Sequence, residues 1–294
     1  MPSPTPSRVL ITGAGAQLAS ALRERFAPGA AVTALARADL DVTRAADVAR
    51  VFREFQPQTV LNCAAFNDVD GAEHQAEAAL AVNGLAVAVL AQAAAAAGAT
   101  LVHYSTDFVF DPIDDPGPLP ESAPVRPRSV YAQSKLLGEI YARQAPRHYV
   151  LRVESLFGGT PAKSSLDRMA ATLRSGGVVR AFADRTVSPS YVHDVAEATF
   201  CMIATGVPHG LYHCVNSGHG TWADVATVLA GALGVDAATA VEAVPLASVS
   251  FAAPRPKFAA LSNAALAAHG VPMPHWRDAV GRYAAVVGPA RGRA

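Results

Sequence analysis

The chain has 294 residues, no formal net charge, 51% hydrophobic residues and only 16% charged ones. That length suits one large domain or two intimate ones with a substantial core. The even charge lacks the basic excess of a nucleic-acid binder, yet leaves room for a small anionic ligand held by local arginines.

Residues 1–7, rich in Pro and Ser with no apolar core, read as a short disordered tail rather than a signal peptide. The run Arg8-Val9-Leu10-Ile11-Thr12 ends at glycines, the pattern of a buried parallel strand. Residues 17–26 read as a helix with Leu18, Leu22 and Phe26 on one face, and residues 31–36 as a second strand. Residues 44–55 form a helix with Val48, Val51, Phe52 and Phe55 inward, stopped by Pro57. A third strand follows at 59–62, an Ala-rich helix at 83–97 closed by Gly98, and a fourth strand at 100–105. The most apolar stretch, 85–102, is thus a helix and a buried strand, not a membrane span. Residues 111–128 hold six prolines and form a surface loop. A helix over 131–144, a strand over 149–153 and a helix over 194–204 follow, and beyond Gly220 short helices and proline-rich connectors dominate. Strands alternating with helices predict an α/β fold, a doubly wound parallel sheet of Rossmann type. Residues 1–155, joined by about 190–215, form its dinucleotide-binding domain, and residues 156–294 supply mainly a smaller C-terminal substrate domain.

Cys63, Cys201 and Cys214 are scattered, with no CxxC pair. Neither a disulfide framework nor a metal site is expected, and the cysteines read as small hydrophobes in a reducing, cytoplasmic setting.

The run Thr12-Gly13-Ala14-Gly15-Ala16-Gln17-Leu18-Ala19 lies between the first strand and the first helix. In a dinucleotide fold that turn sets backbone N–H groups and the helix N-terminus against a pyrophosphate. A plain strand-to-helix turn is the alternative. Other polar residues fall where strands end, the edge at which open α/β sheets bind ligands: Arg37, Asn62, and Ser105-Thr106-Asp107. Arg37 is placed to meet a ribose 2′-phosphate or, failing that, to be a solvated surface arginine. A hydroxyl from Ser105 or Thr106 can hydrogen-bond a substrate carbonyl or cap a turn.

Tyr131 and Lys135 carry the sharpest signal. The chain has three lysines against twenty-one arginines, and one lysine falls four residues after a tyrosine on a predicted helix. That spacing puts both side chains on one face. A phenol titrates near ~10, and a neighbouring ammonium is expected to draw it down. A tyrosine so tuned passes a proton to or from a carbonyl oxygen. Simple helix-surface packing gives the same spacing.

Together these runs resemble an extended short-chain dehydrogenase/reductase, and within it the dTDP-4-dehydrorhamnose reductase family. The resemblance spans nearly the whole chain. It includes Leu40-Asp41-Val42-Thr43, Asn62-Cys63-Ala64-Ala65, Val69-Asp70-Gly71-Ala72-Glu73, Ala81-Val82-Asn83, the run from Ser105 to Asp111, Tyr131 to Glu139, Ser188-Pro189-Ser190 and Arg255-Pro256. It implies a catalytic triad of Thr106, Tyr131 and Lys135. Tyr131 would be the proton donor, Thr106 would orient the carbonyl, and Lys135 would hold the nicotinamide ribose. It places Gly13, Gly15, Ala16, Gln17 and Leu18 at the pyrophosphate, Arg37 and Asp41 toward the adenosine, and Ala64 and Ala65 against the cofactor. Val69, Asp107, Ser155 and Arg255 fall on the sugar-nucleotide side. NADPH is the implied cofactor, with NADH as the alternative, and a homodimer the implied assembly.

The chain departs from the family pattern in places. Ala16 and Ala19 replace glycines of the phosphate turn, and Gly15 is expected to take over the lost conformational freedom. Ser155-Leu156 stands where the family has Ser-Trp, so a stacking aromatic is missing there. The implied activity is reduction of a nucleotide-diphospho-4-keto-6-deoxysugar. A non-catalytic dinucleotide-binding subunit, like the regulatory subunit of methionine adenosyltransferase, and a sugar-nucleotide epimerase or dehydratase stay open as alternatives.

Overall fold

The computed structural model describes residues 7–111 and 117–289. Most of the predicted tail and part of the predicted proline-rich loop lie outside these residues. In chain order the first elements are β1 (Arg8–Thr12), α1 (Gln17–Phe26), β2 (Ala31–Leu35), α2 (Ala45–Phe55), β3 (Thr59–Asn62) and α3 (Val69–Ala72). Next comes α4 (Ala76–Leu80), which runs through a π turn at Ala81–Leu85 into α5 (Ala86–Ala97), then β4 (Thr100–Thr106), α6 (Val130–Ala142) and β5 (His148–Val153). Then follow β6 (Leu156–Phe157), α7 (Ser165–Arg174), β7 (Val179–Phe182), β8 (Thr186–Val187), β9 (Ser190–Tyr191), α8 (Val192–Thr205) and β10 (Gly210–His213). The last are β11 (Gly220–Thr221), α9 (Trp222–Ala232), α10 (Ala237–Ala240), β12 (Val241–Val244), α11 (Ala264–Ala268) and α12 (Trp276–Val287).

Six strands form one parallel sheet in the order β2-β1-β3-β4-β5-β10. Strand alternation divides its core into two layers. Val9, Ile11, Leu61, Val102 and Leu151 pack under α1 and α8. Their neighbours Leu10, Val60, Leu101 and Val150 pack under α2 and α5. The sheet is therefore doubly wound, as the sequence predicts. Chain direction across the sheet reverses between β1 and β3. At such a switch the crossovers leave on opposite faces and open a crevice beyond the strand C-termini.

The helix predicted from Asn83 begins instead at Ala76. Asn83 looks like a helix start in sequence, but it is buried inside the π turn. Its side chain accepts from the Phe66 amide (2.8 Å) and donates to the Phe66 carbonyl (3.0 Å) and Ser134 Oγ (3.0 Å). The segment Ala76–Ala97 is long and apolar enough to cross a bilayer. Here Ala86, Val87, Leu90, Ala91 and Ala94 are buried against the sheet layer.

The second half builds its own core from Phe157, Leu166, Val187, Trp222, Leu229 and Trp276. Its helices α9 and α12, of 11 and 12 residues, are longer than the short helices expected. Reciprocal capping boxes start α7 (Ser164 with Asp167) and α9 (Thr221 with Asp224).

Candidate active site

A cavity of about 1140 Å³ opens over the C-terminal sheet edge. It runs from the β1–α1 turn to Arg255, and is roomy enough for a ligand larger than a single sugar.

At the first end Gly13 adopts φ +67°. A Cβ there would lie 2.6 Å from the Ala64 amide nitrogen and 2.7 Å from Ala64 Cα. Glycine is required by both conformation and space. Ala16 caps α1 in extended backbone with no side-chain hydrogen bond. The first amides of α1, at Gln17 and Leu18, thus lack intrahelical partners and point out of the helix start. A backbone cradle that a Cβ would fill, beside an uncapped helix N-terminus, fits a pyrophosphate. The expected transfer of freedom to Gly15 does not occur. Gly15 has no positive φ and open space around its Cβ position. Ala16 sits at φ −86°, which alanine adopts without strain, and Ala19 is a buried helix residue. The two alanines therefore leave the turn intact.

The Gln17 side chain is committed elsewhere, donating to the Gly158 carbonyl and to Asp167 Oδ2, both at 2.8 Å. Arg37 is exposed at the cavity rim, with no carboxylate within ion-pair distance among the described residues. Asp41 Oδ1 accepts from the Thr43 hydroxyl (2.7 Å) and amide (3.0 Å), bonds that hold its carboxyl below the usual range. Ala64 and Ala65 line the floor between the ends, where the Ala64 amide meets Thr12 Oγ1 at 3.3 Å.

Thr106, Tyr131 and Lys135 all line the cavity. Thr106 ends β4. Tyr131 and Lys135 come from the first turns of α6, which Ser129 caps through the Ala132 amide (3.1 Å). Glycine at 138 lets α6 approach the π turn, since a Cβ there would lie 2.2 Å from the Asn83 carbonyl oxygen. Phe108 meets Tyr131 edge-on, with ring centroids 5.6 Å apart. Burial pushes the Tyr131 phenol well above its usual range and the Asp107 charge adds to this, opposed by the nearby Thr106 hydroxyl. The expected lowering by Lys135 is absent. The ammonium is committed to the Tyr104 carbonyl (2.6 Å). Burial brings Lys135 down to about 8, with Glu139 and Cys63 resisting. A raised phenol stays protonated at neutral pH, which suits a proton donor.

Beyond this centre, Val69, Asp107, Ser155 and Arg255 all line the cavity. Arg255 reaches it through an ion pair with Asp70 (2.6 Å), while Asp70 also accepts from the Ala253 amide (2.9 Å). Burial raises the Asp70 carboxyl, but the Ala253 amide and Arg255 together hold it below its usual range. Ser155 takes φ +45°, so a non-glycine residue occupies the left-handed region at the cavity wall.

Sequence reasoning missed Asp70, Glu154, Arg185 and Trp222. Trp222 lines the cavity from the first residue of α9 while packing mostly into the second core. The Thr221-x-x-Asp224 box marked the helix start that carries it. Arg185 lines the cavity beside Asp107. Neither it nor Glu154 belongs to a motif that singles it out. Among the described residues no cluster of His, Cys, Asp or Glu could hold a metal ion.

The family described as RmlD substrate binding domain matches residues 7–288. A dTDP-4-dehydrorhamnose reductase of Mycobacterium tuberculosis is 36% identical over 281 residues, 93% of this chain and 91% of that protein. A probable dTDP-4,6-dihydroxy-2-methyloxan-3-one 4-ketoreductase of Streptomyces antibioticus is 35% identical over 277 residues, 93% of each chain. The crystal structure of a Bacillus anthracis dTDP-4-dehydrorhamnose reductase in complex with NADP superposes with TM-score 0.88 at 28% identity, covering 94% of this chain and 98% of that one.

Proposed function

This chain belongs to the RmlD substrate-binding-domain family, and from that premise we propose that it is an NADPH-dependent reductase of a nucleotide-diphospho-4-keto-6-deoxysugar. One observation carries the reading. Thr106, Tyr131 and Lys135 line a single cavity together with the Gly13 cradle and Arg255.

Gly13, Gly15, Ala16 and the amides of Gln17 and Leu18 hold the cofactor's pyrophosphate, with Ala64 and Ala65 beneath it. Arg37 meets the ribose 2′-phosphate, which favours NADPH over NADH. Asp41 lies toward the adenosine with its carboxylate already engaged by Thr43. When bound, the reduced nicotinamide supplies the hydride. Tyr131 gives its proton to the developing alkoxide while Thr106 orients the carbonyl oxygen. Lys135 holds the nicotinamide ribose. Val69, Asp107, Ser155 and Arg255 face the sugar nucleotide, and Trp222 offers it an aromatic surface. In this reading residues 1–155 with about 190–215 carry the dinucleotide, and 156–294 mainly shape the substrate side. The free cysteines accord with a cytoplasmic enzyme. A homodimer is the assembly proposed.

The direct test is NADPH oxidation against a panel of 4-keto sugar nucleotides. Cofactor binding without oxidation of any of them would favour the non-catalytic reading instead. Two further results are expected. Lys135→Arg should lose most turnover despite keeping the charge, because a planar guanidinium cannot replace a 3% exposed ammonium set 2.6 Å from the Tyr104 carbonyl. Steady-state kcat of that variant checks this. NADPH affinity should also weaken as pH rises through about 8, where Lys135 sheds its proton and its positive charge. Fluorescence titration from neutral pH upward reads the effect, and a flat profile would separate Lys135 from cofactor binding.

A further inference from the structure

The buried groups behind Thr106 do not balance as ordinary ions. Thr106 and Val153 are register partners on β4 and β5. The residue that follows each strand is an acid, Asp107 and Glu154, and the strands they leave lie only about 4.8 Å apart. Both acids are buried, 4% and 1% exposed. Asp107 Oδ1 accepts from the Thr106 hydroxyl at 2.9 Å, and Glu154 Oε2 accepts from the Ser188 amide at 2.7 Å. The remaining oxygens, Asp107 Oδ2 and Glu154 Oε1, are shut off from solvent and receive no N–H or O–H donor. Arg185 faces both acids, yet no ion pair joins it to either and its Nε is also unpartnered. An orphaned buried acceptor is costly, and more so when charged. Two such oxygens on neighbouring strand ends remove each other's deficit if one carries a proton.

We propose that Asp107 and Glu154 share one proton, and that Glu154 is a positioning residue that fixes the Asp107 carboxylate against the Thr106 hydroxyl. This rests on the reductase reading for its catalytic consequence but not for the shared proton itself. Charge counting agrees. With both acids ionised, the site would bury two negative charges beside one guanidinium. With one proton between them, Arg185 and the dyad sum to zero. The groups facing the dyad are Arg185, with Arg255 behind it, and Tyr131 on the Thr106 side. Burial and the Asp107 charge push Glu154 well above the usual carboxylate range, so it is the natural proton holder. Burial also raises Asp107, to about 6, although Arg185 and the Thr106 hydroxyl pull it down. The dyad therefore carries one proton at neutral pH. In the free enzyme an ionised Asp107 takes the Thr106 hydroxyl hydrogen, which fixes where the Thr106 oxygen sits before a substrate carbonyl competes for that hydrogen.

The free enzyme at neutral pH gives the first test, by difference infrared spectroscopy of wild type against Glu154→Gln. The wild type should show the carbonyl stretch of a buried carboxylic acid, and Glu154→Gln should lose it. Absence of that band from wild type, or its survival unchanged in the variant, would overturn the shared proton. The second test is kinetic. Glu154→Ala should lower kcat roughly ten- to a hundredfold, with KM for NADPH little changed, and Glu154→Gln, whose amide can donate from the same place, should recover most of the loss. Equal losses in both variants would overturn the positioning role. An enzyme that shows the band but oxidises NADPH with no sugar nucleotide would sink the reductase reading and support the dyad.

Discussion

Tyr131→Phe should cut turnover roughly a hundred- to ten-thousandfold, the usual worth of a positioned general acid, while leaving NADPH binding close to that of wild type. The change removes one oxygen and keeps the ring. Phe108 still meets that ring edge-on at 5.6 Å, so the packing that positions α6 survives. The loss should fall on kcat. Only the oxygen can give a proton to a carbonyl. Rapid-quench or stopped-flow measurement of NADPH oxidation at saturating substrate separates the two effects. Turnover within threefold of wild type, a margin set at about 0.7 kcal/mol, would remove Tyr131 from the chemistry.

The second large effect lies at the other end of the cavity. Gly13→Ala places a methyl within 2.7 Å of two Ala64 backbone atoms, in a conformation alanine resists. The left-handed backbone costs about 1–2 kcal/mol and overpacking about 1–3 kcal/mol more. The neighbour here is main chain on β3's exit, which cannot swing aside as a flexible side chain would. Either the fold absorbs the whole cost or the turn lifts off Ala64 and its amides lose their aim. Thermal unfolding should fall by several degrees, and the surviving folded protein should bind NADPH more than tenfold more weakly. Gly15→Ala is the matched comparison. Its Cβ would enter open space with no positive φ, so stability should change by no more than about 0.5 kcal/mol. Equal damage at both positions would mean that the turn, rather than the contact with Ala64, governs the site.

The sheet was readable because its signal is local. Apolar runs such as Val9-Leu10-Ile11, each ended by a glycine or a polar residue, fix a buried strand and the edge where ligands gather. That Thr106, Tyr131 and Lys135 share one cavity was readable for the same reason: Tyr131 and Lys135 are four residues apart, and Thr106 closes a strand. Asn83 misled because a polar residue inside a long apolar segment resembles a helix start, whereas here its amide is satisfied by Phe66 and Ser134 from outside the helix. Phenol tuning was misjudged because helical spacing says which face two side chains share, not where a long ammonium ends; Lys135 turns toward β4. Glu154 and Arg185 are distant in sequence and meet only when β5 and the segment before β8 fold together. Trp222 is likewise delivered by a helix that the sheet pattern does not reveal.

The Gln17 amide has a consequence for recombination. It is the first residue of α1, yet it bonds Gly158 and Asp167 in the second half of the chain, and Asp167 in turn takes the Tyr283 hydroxyl at 2.6 Å from the last helix. Residues 190–213 meanwhile return to add a helix and the edge strand to the first sheet. The halves are therefore not interchangeable cassettes. A chimera joined at residue 155 would inherit a glutamine whose acceptors came from another parent, and a sheet whose outer strand did too. Exchange of substrate preference between relatives has to proceed by grafting the cavity wall onto this frame, with Gln17, Asp167 and Tyr283 carried over as one set.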